Sequence, residues 1–526
     1  MIQIAEHLRL RDILSGEKTF PVGVELVSTR GAMSDRDTLR VREFGEMLTH
    51  SPAVDWVSIT DNAGGNPQLA PIALGTPILY AGKEVVIHLT CKDLNRHALE
   101  SELWLLASQG FHNVLAMTGD YPMESFHGRA KPVFDIDSVA LLEMISRMNG
   151  GYEIAARNAG AAPRRLDGTH FHAGAVTTSF KARENTLLPQ YYKLEKKIAC
   201  GAKFIINQIG FDSQKSHELL AYMQSRGHGA IPLVGNVYLL SLPVAGLFHR
   251  RKIPGVVVTD ALLDLCRKHA ASPDKGRAFF LEFAAKQVAI HRGLGYRAIY
   301  LGGVHTPADL GGILEIEAGF AADDWRGFAR EIGFASPDEF NLYEPDPDTG
   351  LCRPGVLNAQ WSESLASRER NHNVTPLYHL SKAFHSLMFE NGRGLAPLGA
   401  KLCAAARDPR QGPAWLRAAE RASKSLLYHC RDCGDCSLSE TAFLCPESQC
   451  AKNQRNGPCG GTRDGLCEVH DYECIWARAY DRMKYEGRSR ELLDHAPVVQ
   501  NQGLRDTSAW ANFWLGRDHL SKKSQP

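Results

Sequence analysis

The feature that most constrains the fold is a strand–helix–strand unit over residues 85–122, VVIHLTCKDLNRHALESELWLLASQGFHNVLAMTGDYP. Val85–Leu89 is a short β-branched run, Leu94–Ser108 has apolar residues at helical spacing, and Val114–Met117 is a second apolar run. Such a unit pairs its strands in parallel through a right-handed crossover. Because parallel α/β folds bind ligands at the carboxyl ends of their strands, polar residues there are candidate site residues.

The same alternation continues along the chain and predicts eight strands. They are Pro21–Val27, Asp55–Thr60, Val85–Leu89, Val114–Met117, Phe171–Thr177, Lys203–Ile209, Ala230–Val237 and Ala298–Leu301. Eight strands alternating with helices predict a fold of the α/β class, a (β/α)8 TIM barrel, which usually needs about 250 residues plus insertions. A doubly wound sheet is the alternative, although no predicted strand is followed by the G-x-G-x-x-G turn of a dinucleotide fold.

Beyond about residue 334 the alternation ends. Pro337–Pro354 is rich in Pro and Asp and is predicted to be a linker, and helices are predicted near Leu377–Phe389 and Pro413–Tyr428. We therefore divide the chain into a barrel over 1–335, a linker and helical region over 336–424, and a cysteine-rich domain with a C-terminal tail over 425–526.

The charge and residue composition of the chain limit the kinds of binding partner and the cellular location that we expect. The formal net charge of +1 gives no general electrostatic reason to expect a nucleic acid or a membrane as partner. The sequence contains no run of about 18 uninterrupted apolar residues, and the charged N-terminus has no apolar core of a secretory signal, so we expect a cytoplasmic protein. Eight of the 13 cysteines lie between Cys430 and Cys474, which in a reducing compartment indicates metal ligation before disulfides.

Polar residues stand at the predicted carboxyl ends of the strands, namely Glu25, Thr60, His88, Asp120 and Gln208. Two carboxylates, an amide and a hydroxyl that converge on one barrel mouth suit a polar heteroaromatic ligand and acid–base chemistry. Taken singly, each residue has a structural alternative, since a buried Glu is as often a structural hydrogen-bonding residue as a catalytic one.

Taken together, the local sequences resemble methylenetetrahydrofolate reductase over roughly residues 20–305. The resembling pieces, in family order, are Val24-Glu25, DWVSIT, IHLTC, a helix that starts DLNR, NVLAMTGDYP, KKIACGAKFIINQIGFD and a late IYLGG strand. The resemblance implies a barrel that carries a flavin, normally FAD with FMN as the alternative, at its carboxyl-end mouth. It also implies hydride transfer from flavin to 5,10-methylenetetrahydrofolate, which gives 5-methyltetrahydrofolate, or the reverse reaction.

The resemblance also implies a role for each matching residue. Glu25 matches the general acid, whose pKa burial would raise, and Asp120 matches a residue that stabilises a cationic intermediate. Gln208 matches a pterin-binding amide, and Phe248 would stack on a substrate ring. The residues implied to contact the flavin are Thr60, His88, Thr118, Gly119, Asp120, Lys196 and Lys197, of which the two lysines would meet its phosphates. A solvated helix face is the alternative for these lysines.

Two departures from the family pattern affect these expectations. The Phe-Phe-Pro-Pro expected after the acid is Leu26-Val27-Ser28-Thr29, and the Arg expected before Gly119 is Thr118. The second change removes a positive charge beside the flavin. The contacts of the flavin's phosphates, the choice between FAD and FMN as the flavin, and the direct use of NADH as electron donor therefore stay open.

The cysteine-rich region predicts a metal site. Its candidate ligands are Cys430, Cys433, Cys436, Cys445, Cys450, Cys459, Cys467 and Cys474. Three cysteines at successive x₂ intervals, followed by Cys445-Pro446, favour iron–sulfur clusters, while structural Cys₄ zinc is the alternative. The region 425–480 also resembles the cysteine-rich C-terminal domain of some bacterial methylenetetrahydrofolate reductases. That resemblance implies electron delivery to the flavin, or docking of an electron donor, with NADH or a ferredoxin-like protein as donor and a homo-oligomeric assembly.

Two other functions stay open from the sequence. One is a folate-binding protein with a structural zinc domain that docks a methyltransferase. The other is a folate-linked methyl-transfer enzyme in which a zinc–thiolate activates a thiol.

Overall fold

A closed barrel of eight parallel strands forms the centre of the computed structural model, which describes residues 9–154, 162–250, 253–390 and 395–520. Strands β1–β8 in chain order are Val22–Leu26, Trp56–Ile59, Glu84–Thr90, Asn113–Met117, His172–Thr177, Phe204–Asn207, Leu233–Tyr238 and Ala298–Gly302. Each strand pairs with the next, and β8 pairs with β1 to close the ring. The (β/α)8 prediction is confirmed, and each of the eight predicted strands is present.

Helices follow the strands and cover the outside of the barrel. They are Arg36–His50, Pro71–Tyr80, Arg96–Ser108, Ser138–Gly150, Glu184–Ala199, Ser213–Ser225, Leu242–His249, Asp260–Ala270, Arg277–Leu294, Pro307–Ala318 and Trp325–Glu331. Side-chain caps start several of them; Asn95 accepts from the Ala98 N–H and Asp137 from the N–H groups of Val139 and Ala140. The sequence did not predict Pro71–Tyr80 or Leu242–His249, because both are apolar on every side and lack amphipathic spacing.

The N-terminal segment closes the amino end of the barrel. Leu10 and Leu14 join the apolar cluster inside the barrel, and the Leu10 N–H donates to Glu84 at 2.8 Å. From the barrel, the Arg297 guanidinium donates to the carbonyl oxygens of Ile13 at 2.9 Å and Leu14 at 2.9 Å. A filled amino end directs ligand binding to the carboxyl end of the strands.

The segment predicted as a linker is instead an ordered β-hairpin. Tyr343–Asp346 pairs antiparallel with Leu351–Leu357, and the Glu218 carboxylate on the barrel accepts from the Leu342 N–H at 2.6 Å. Its Pro and Asp residues occupy the edges and turn of a two-stranded ladder, where a missing N–H is tolerated. Two shorter hairpins pair Glu124–Ser125 with Gly128–Arg129 and Glu153–Ile154 with Arg164–Arg165.

The C-terminal region is helical around an irregular cysteine-rich core. Its helices are Ala359–Ser367, Pro376–Phe389, Ala396–Ala404, Ala414–Tyr428, Pro446–Gln449, Ile475–Tyr485 and Ala509–Trp514, with 3₁₀ turns at Ser489–Leu493 and Gln502–Leu504. The chain then returns to the barrel. There the Tyr480 hydroxyl donates to Glu184 at 2.6 Å, and the Lys484 amine pairs with the same carboxylate. None of the helices within the described ranges has the length and apolarity needed to cross a bilayer.

The barrel interior is packed tightly enough to test by adding one methyl group. A Cβ at Gly23 on β1 would lie 2.0 Å from the Trp56 ring, so Gly23→Ala should lower the free energy of unfolding by about 1–3 kcal/mol. Urea denaturation measures this change. The matched control is Gly311→Ala on the helix Pro307–Ala318, where the nearest atom would be 4.0 Å away and Ala should stabilise by up to about 1 kcal/mol. Equal effects of the two substitutions would contradict the packing described for β1.

Candidate active site at the carboxyl end of the barrel

A polar layer lies inside the barrel on the carboxyl side of its apolar layer. The apolar layer includes Trp56 and Val86, and side chains two residues further along a strand point to the same face. The polar layer consists of Glu25, Ser58, His88, Asn236 and Tyr300. Glu25 and Ser58 are partners in the register of β1 and β2, and Asn236 and Tyr300 are partners in that of β7 and β8.

Glu25 is the carboxylate of this layer. The Tyr300 hydroxyl donates to Glu25 Oε1 at 3.4 Å, and the neighbouring Gly302 leaves room for the carboxylate, since a Cβ there would lie 3.1 Å from Glu25 Oε2. Burial raises the pKa of Glu25 to about 7, against a smaller lowering by the Tyr300 hydrogen bond. A carboxyl group with such a pKa exchanges its proton near neutral pH, as an acid–base residue must.

Buried polar atoms of this layer lack hydrogen-bond partners. Among the described residues, they include His88 Nε2 and Asn236 Oδ1. Burial lowers the pKa of His88 to about 4, so its imidazole is neutral at physiological pH. Because unpaired buried polar atoms are costly, these atoms are candidates to bind a polar ligand at the mouth.

Above this layer, the predicted site residues Thr60 and Gly119 sit on the rim. The Thr60 hydroxyl accepts from the Ser28 N–H at 3.4 Å, which ties the end of β2 to the end of β1. Gly119 has a φ of +86°, and a Cβ there would lie 2.9 Å from Thr90 Cβ. Glycine is therefore required at this turn.

Asp120 follows on the same rim and faces the cysteine-rich region. Its Oδ2 accepts from the Gly64 N–H at 2.9 Å. Burial raises the pKa of Asp120, while the nearby Lys452 ammonium lowers it and Glu468 raises it. Lys452 and Glu468 belong to the cysteine-rich region, so residues more than 330 positions apart share this part of the site.

A cavity of about 670 Å³ opens beside Asp120, between the barrel loops and the cysteine-rich region. Phe248 lines it and packs edge-on against Tyr238, with ring centroids 5.3 Å apart. Gln208 lies beneath Gly255, another lining residue, with its amide nitrogen 3.2 Å from the position a Cβ would take. The predicted Asp120 and Phe248 thus meet at one cavity, whereas Gln208 is not among its lining residues and lies next to one of them, Gly255.

The two lysines implied to hold flavin phosphates have other contacts. The Lys196 amine lies 2.9 Å from His495 Nδ1, and the Lys197 amine donates to the Val176 carbonyl. Burial lowers the pKa of Lys197 to about 7, and the neighbouring Lys193 lowers it further. Neither is among the described residues that line the cavity, and their assignment to phosphates stays a prediction.

Buried residues join the barrel to the cysteine-rich region, and one of them, Lys193, was not singled out by the sequence. The Lys193 amine donates to Gln454 Oε1 at 3.1 Å and to the carbonyls of Gly457 and Pro458 at 3.1 and 3.0 Å. The Thr118 hydroxyl donates to the same Gln454 oxygen at 3.2 Å. No local pattern could have revealed these contacts, because the partners lie more than 260 residues apart.

A second buried lysine of the barrel makes a similar contact. The Lys181 amine donates to the carbonyls of Gly460 and Thr462, both at 2.6 Å. Burial lowers the pKa of Lys181 to about 8, although the charge of Cys459 opposes this change. The segment from Gly457 to Thr462 is therefore held to the barrel by two ammonium groups.

The first four cysteines of the cluster form one group. Cys430, Cys433, Cys436 and Cys445 all line a small cavity of about 20 Å³. Burial raises the pKa of Cys436 to about 12, and the charges of Cys433 and Cys445 raise it as well. The Asp432 N–H donates to Cys430 Sγ at 3.4 Å, a contact that favours a thiolate.

The last four cysteines form a second group, next to the barrel. Burial raises the pKa of Cys474 to about 12, with further contributions from Cys450 and Cys467. Burial likewise raises the pKa of Cys459, on which Cys474 and Cys450 also act. The N–H groups of Gln454 and Gly461 donate to the sulfurs of Cys450 and Cys459, both at 3.5 Å. Within the described residues, no three His, Cys, Asp or Glu side chains converge as ligands of one ion.

The elevated pKa of Glu25 has a consequence for stability. Between its usual pKa of 4.5 and about 7, the folded state binds the Glu25 proton and the unfolded state releases it, so the free energy of unfolding falls as pH rises. We expect Glu25→Gln to flatten this part of the stability profile, as measured by urea denaturation at several pH values between 4.5 and 7.5. Parallel profiles for the two proteins would contradict the buried state of Glu25.

Family models match two parts of the chain. Residues 38–294 match the methylenetetrahydrofolate reductase family, and residues 414–502 match the methylenetetrahydrofolate reductase C-terminal family. Methylenetetrahydrofolate reductase 2 of Schizosaccharomyces pombe is 24% identical over 191 residues, which are 36% of this chain and 28% of that protein. The chain thus aligns with less than a third of this curated relative's length.

Solved structures with similar architecture have low sequence identity. A Clostridium thermocellum protein that binds two copies of 5-methyl-5,6,7,8-tetrahydrofolic acid is 9% identical, with a TM-score of 0.42, over 59% of this chain and 97% of that one. Dihydropteroate synthase of Xanthomonas albilineans is 9% identical, with a TM-score of 0.31, over 57% and 92% of the two chains. The fold assignment therefore rests on the strand pairing, and the family assignment rests on the two sequence models, which together cover about two thirds of the chain. By those matches the chain contains a methylenetetrahydrofolate reductase domain over residues 38–294 and a methylenetetrahydrofolate reductase C-terminal domain over residues 414–502.

Proposed function

We propose that the chain catalyses the flavin-dependent interconversion of 5,10-methylenetetrahydrofolate and 5-methyltetrahydrofolate. The observation that carries the proposal is Glu25, a partly buried carboxyl group whose pKa burial raises to about 7, in a barrel mouth with unpaired polar atoms. The match of residues 38–294 to the methylenetetrahydrofolate reductase family supports the oxidoreductase class and the folate substrate.

In the reductive direction, Glu25 donates a proton to the ring nitrogen of the bound folate, which opens the ring before hydride arrives. The Tyr300 hydroxyl orients the carboxylate through its hydrogen bond to Oε1. Burial raises the pKa of Tyr238 to about 12, helped by the charge of Glu25, so this hydroxyl stays protonated beside the acid. In the oxidative direction the same carboxylate accepts the proton.

Asp120, Gln208 and Phe248 would hold the folate at the cavity. Asp120 would stabilise positive charge that develops on the pterin side, since it is a carboxylate fixed by the Gly64 N–H. Gln208 offers an amide to the pterin, and Phe248 offers an aromatic face to the ring system.

We infer that the mouth accepts a flavin, and the unpaired His88 Nε2, which can hydrogen-bond to such a ring, supports this inference. His88, Thr60, Thr118, Gly119 and Asp120 would line it, and Lys196 and Lys197 would reach its phosphates by exchanging their present partners. Bound FAD, or FMN in its place, would supply the hydride to the folate.

We infer two metal sites, one for each group of four cysteines, whose thiols would have to draw together around the metal because no three of them converge within the described residues. Four thiols around one cavity, with backbone N–H groups donated to sulfur, are the donor set of a Cys₄ iron–sulfur cluster, and zinc uses the same ligands. Iron–sulfur clusters would relay single electrons from a ferredoxin-like protein, whereas NADH, the alternative donor, would deliver its hydride to the flavin. We place this homo-oligomeric enzyme in the cytoplasm.

The proposal is tested by purifying the protein anaerobically and comparing the wild type with variants in which the proposed acid, Glu25, is replaced. Wild-type protein should show a flavin absorption spectrum and interconvert the two folates. Glu25→Gln should keep its bound flavin and the reduction of that flavin, and should lose about 100-fold or more in folate turnover, because the proton donor is gone. Glu25→Asp is the matched variant that keeps the carboxyl group. Unchanged folate turnover in Glu25→Gln would remove Glu25 as the acid, and a colourless wild-type protein would remove the flavin.

Single serine substitutions test the grouping of the cysteines. Cys433→Ser and Cys467→Ser should each remove about half of the bound metal, because each belongs to a different group of four. The double variant should remove nearly all of it. Iron, zinc and acid-labile sulfide analysis measures these losses, with Cys200→Ser on the barrel as control. Complete loss in either single variant would show that the eight cysteines form one site.

A further inference from the structure

Lys452 is a lysine of the cysteine-rich region that contacts the barrel rim. Only 4% of the residue is exposed, and its amine donates to the Gly119 carbonyl at 2.8 Å. The same amine forms an ion pair with Glu468 and lies 5.8 Å from the centre of the Phe134 ring. The amine therefore has a fixed position between the two domains.

The contact with Gly119 acts on the residue that follows it. The Gly119 carbonyl and the Asp120 N–H belong to one planar peptide unit. A hydrogen bond to that oxygen therefore also fixes the orientation of the Asp120 backbone N–H. Gly119 itself is the most permissive residue type and holds a φ of +86°, so it supplies little restraint of its own. The Asp120 carboxylate is fixed separately by the Gly64 N–H.

Charge at this point also depends on Lys452. Asp120 and Glu468 both line the cavity, and the Lys452 ammonium lies close enough to both to act on their ionisation. A buried ion pair alone is weak evidence of a stabilising role, which leaves positioning as the role to test.

We infer that Lys452 is a positioning residue for Asp120, so that the reaction site of the barrel is completed by the cysteine-rich domain. The inference rests on the proposed function, because it assigns Asp120 to the reaction. Lys452 holds the Gly119–Asp120 peptide at the rim through its hydrogen bond to the Gly119 carbonyl.

A double-mutant cycle tests the inference in the full-length protein. Lys452→Met should lower kcat about 10- to 100-fold and change KM for the folate less than about threefold, since misplacing a reacting group affects turnover more than binding. In the Asp120→Asn background the same change should lower kcat less than about twofold, because Lys452 acts through Asp120. Lys452→Arg should restore kcat to within about fivefold of wild type.

Readouts besides turnover separate positioning from folding. The flavin absorption maximum should shift in Lys452→Met, and metal content should stay equal to wild type. Lys382→Met is the matched control. Lys382 lies in the same C-terminal half of the chain as Lys452 and pairs with Glu486, so its replacement should leave all readouts unchanged. Lys452→Gln keeps a donor for the Gly119 carbonyl and serves as the second variant.

The outcomes discriminate between the claims. Equal losses from Lys452→Met in the wild-type and Asp120→Asn backgrounds, wild-type turnover in Lys452→Met, or failure of both Lys452→Met and Lys452→Gln to fold would each overturn the inference. A wild-type protein that binds flavin without any folate turnover would overturn the proposed function instead.

Discussion

Three buried ammonium groups at the junction of two domains are the interaction on which the site depends. Lys181 and Lys193 on the barrel donate to backbone carbonyls of the cysteine-rich region, and Lys452 on that region donates to a barrel carbonyl. A buried charge is tolerated only when it is fully hydrogen-bonded. These contacts therefore require a specific arrangement of the segment around Gly457 against the rim, and a loose association of the two domains would leave the amines unsatisfied.

The two candidate carboxylates, Glu25 and Asp120, lie in different environments. Glu25 lies among tyrosines inside the barrel, where burial raises its pKa to about 7. Asp120 lies at the rim, where burial also raises its pKa and the Lys452 ammonium opposes that rise. Carboxyl groups in different environments can take different roles. The inner group suits proton exchange, and the rim group suits stabilisation of positive charge.

The sequence predicted the barrel because local signals suffice for it: each β-branched run and each amphipathic helix is visible within about 15 residues. Glu25, His88 and Asp120 were predicted for the same reason, since each ends or lines a recognisable strand. Lys193 and Lys452 could not be predicted, because their partners are distant in sequence and their helix or loop shows no local pattern. The hairpin at Tyr343–Asp346 was mistaken for a linker because its Pro and Asp residues are typical of both.

The rim of this barrel is built by residues 118–120 and 452–454 of one polypeptide. If the two parts were separate chains, their encounter would depend on the concentration of each and would carry the full entropy loss of association. Here the helices between Ala359 and Tyr428 connect the two parts in one chain. Their association is therefore intramolecular and takes place at a high effective concentration. Fusion thus fixes the stoichiometry at one cysteine-rich domain for every barrel, and every barrel is synthesised together with the residues that complete its rim.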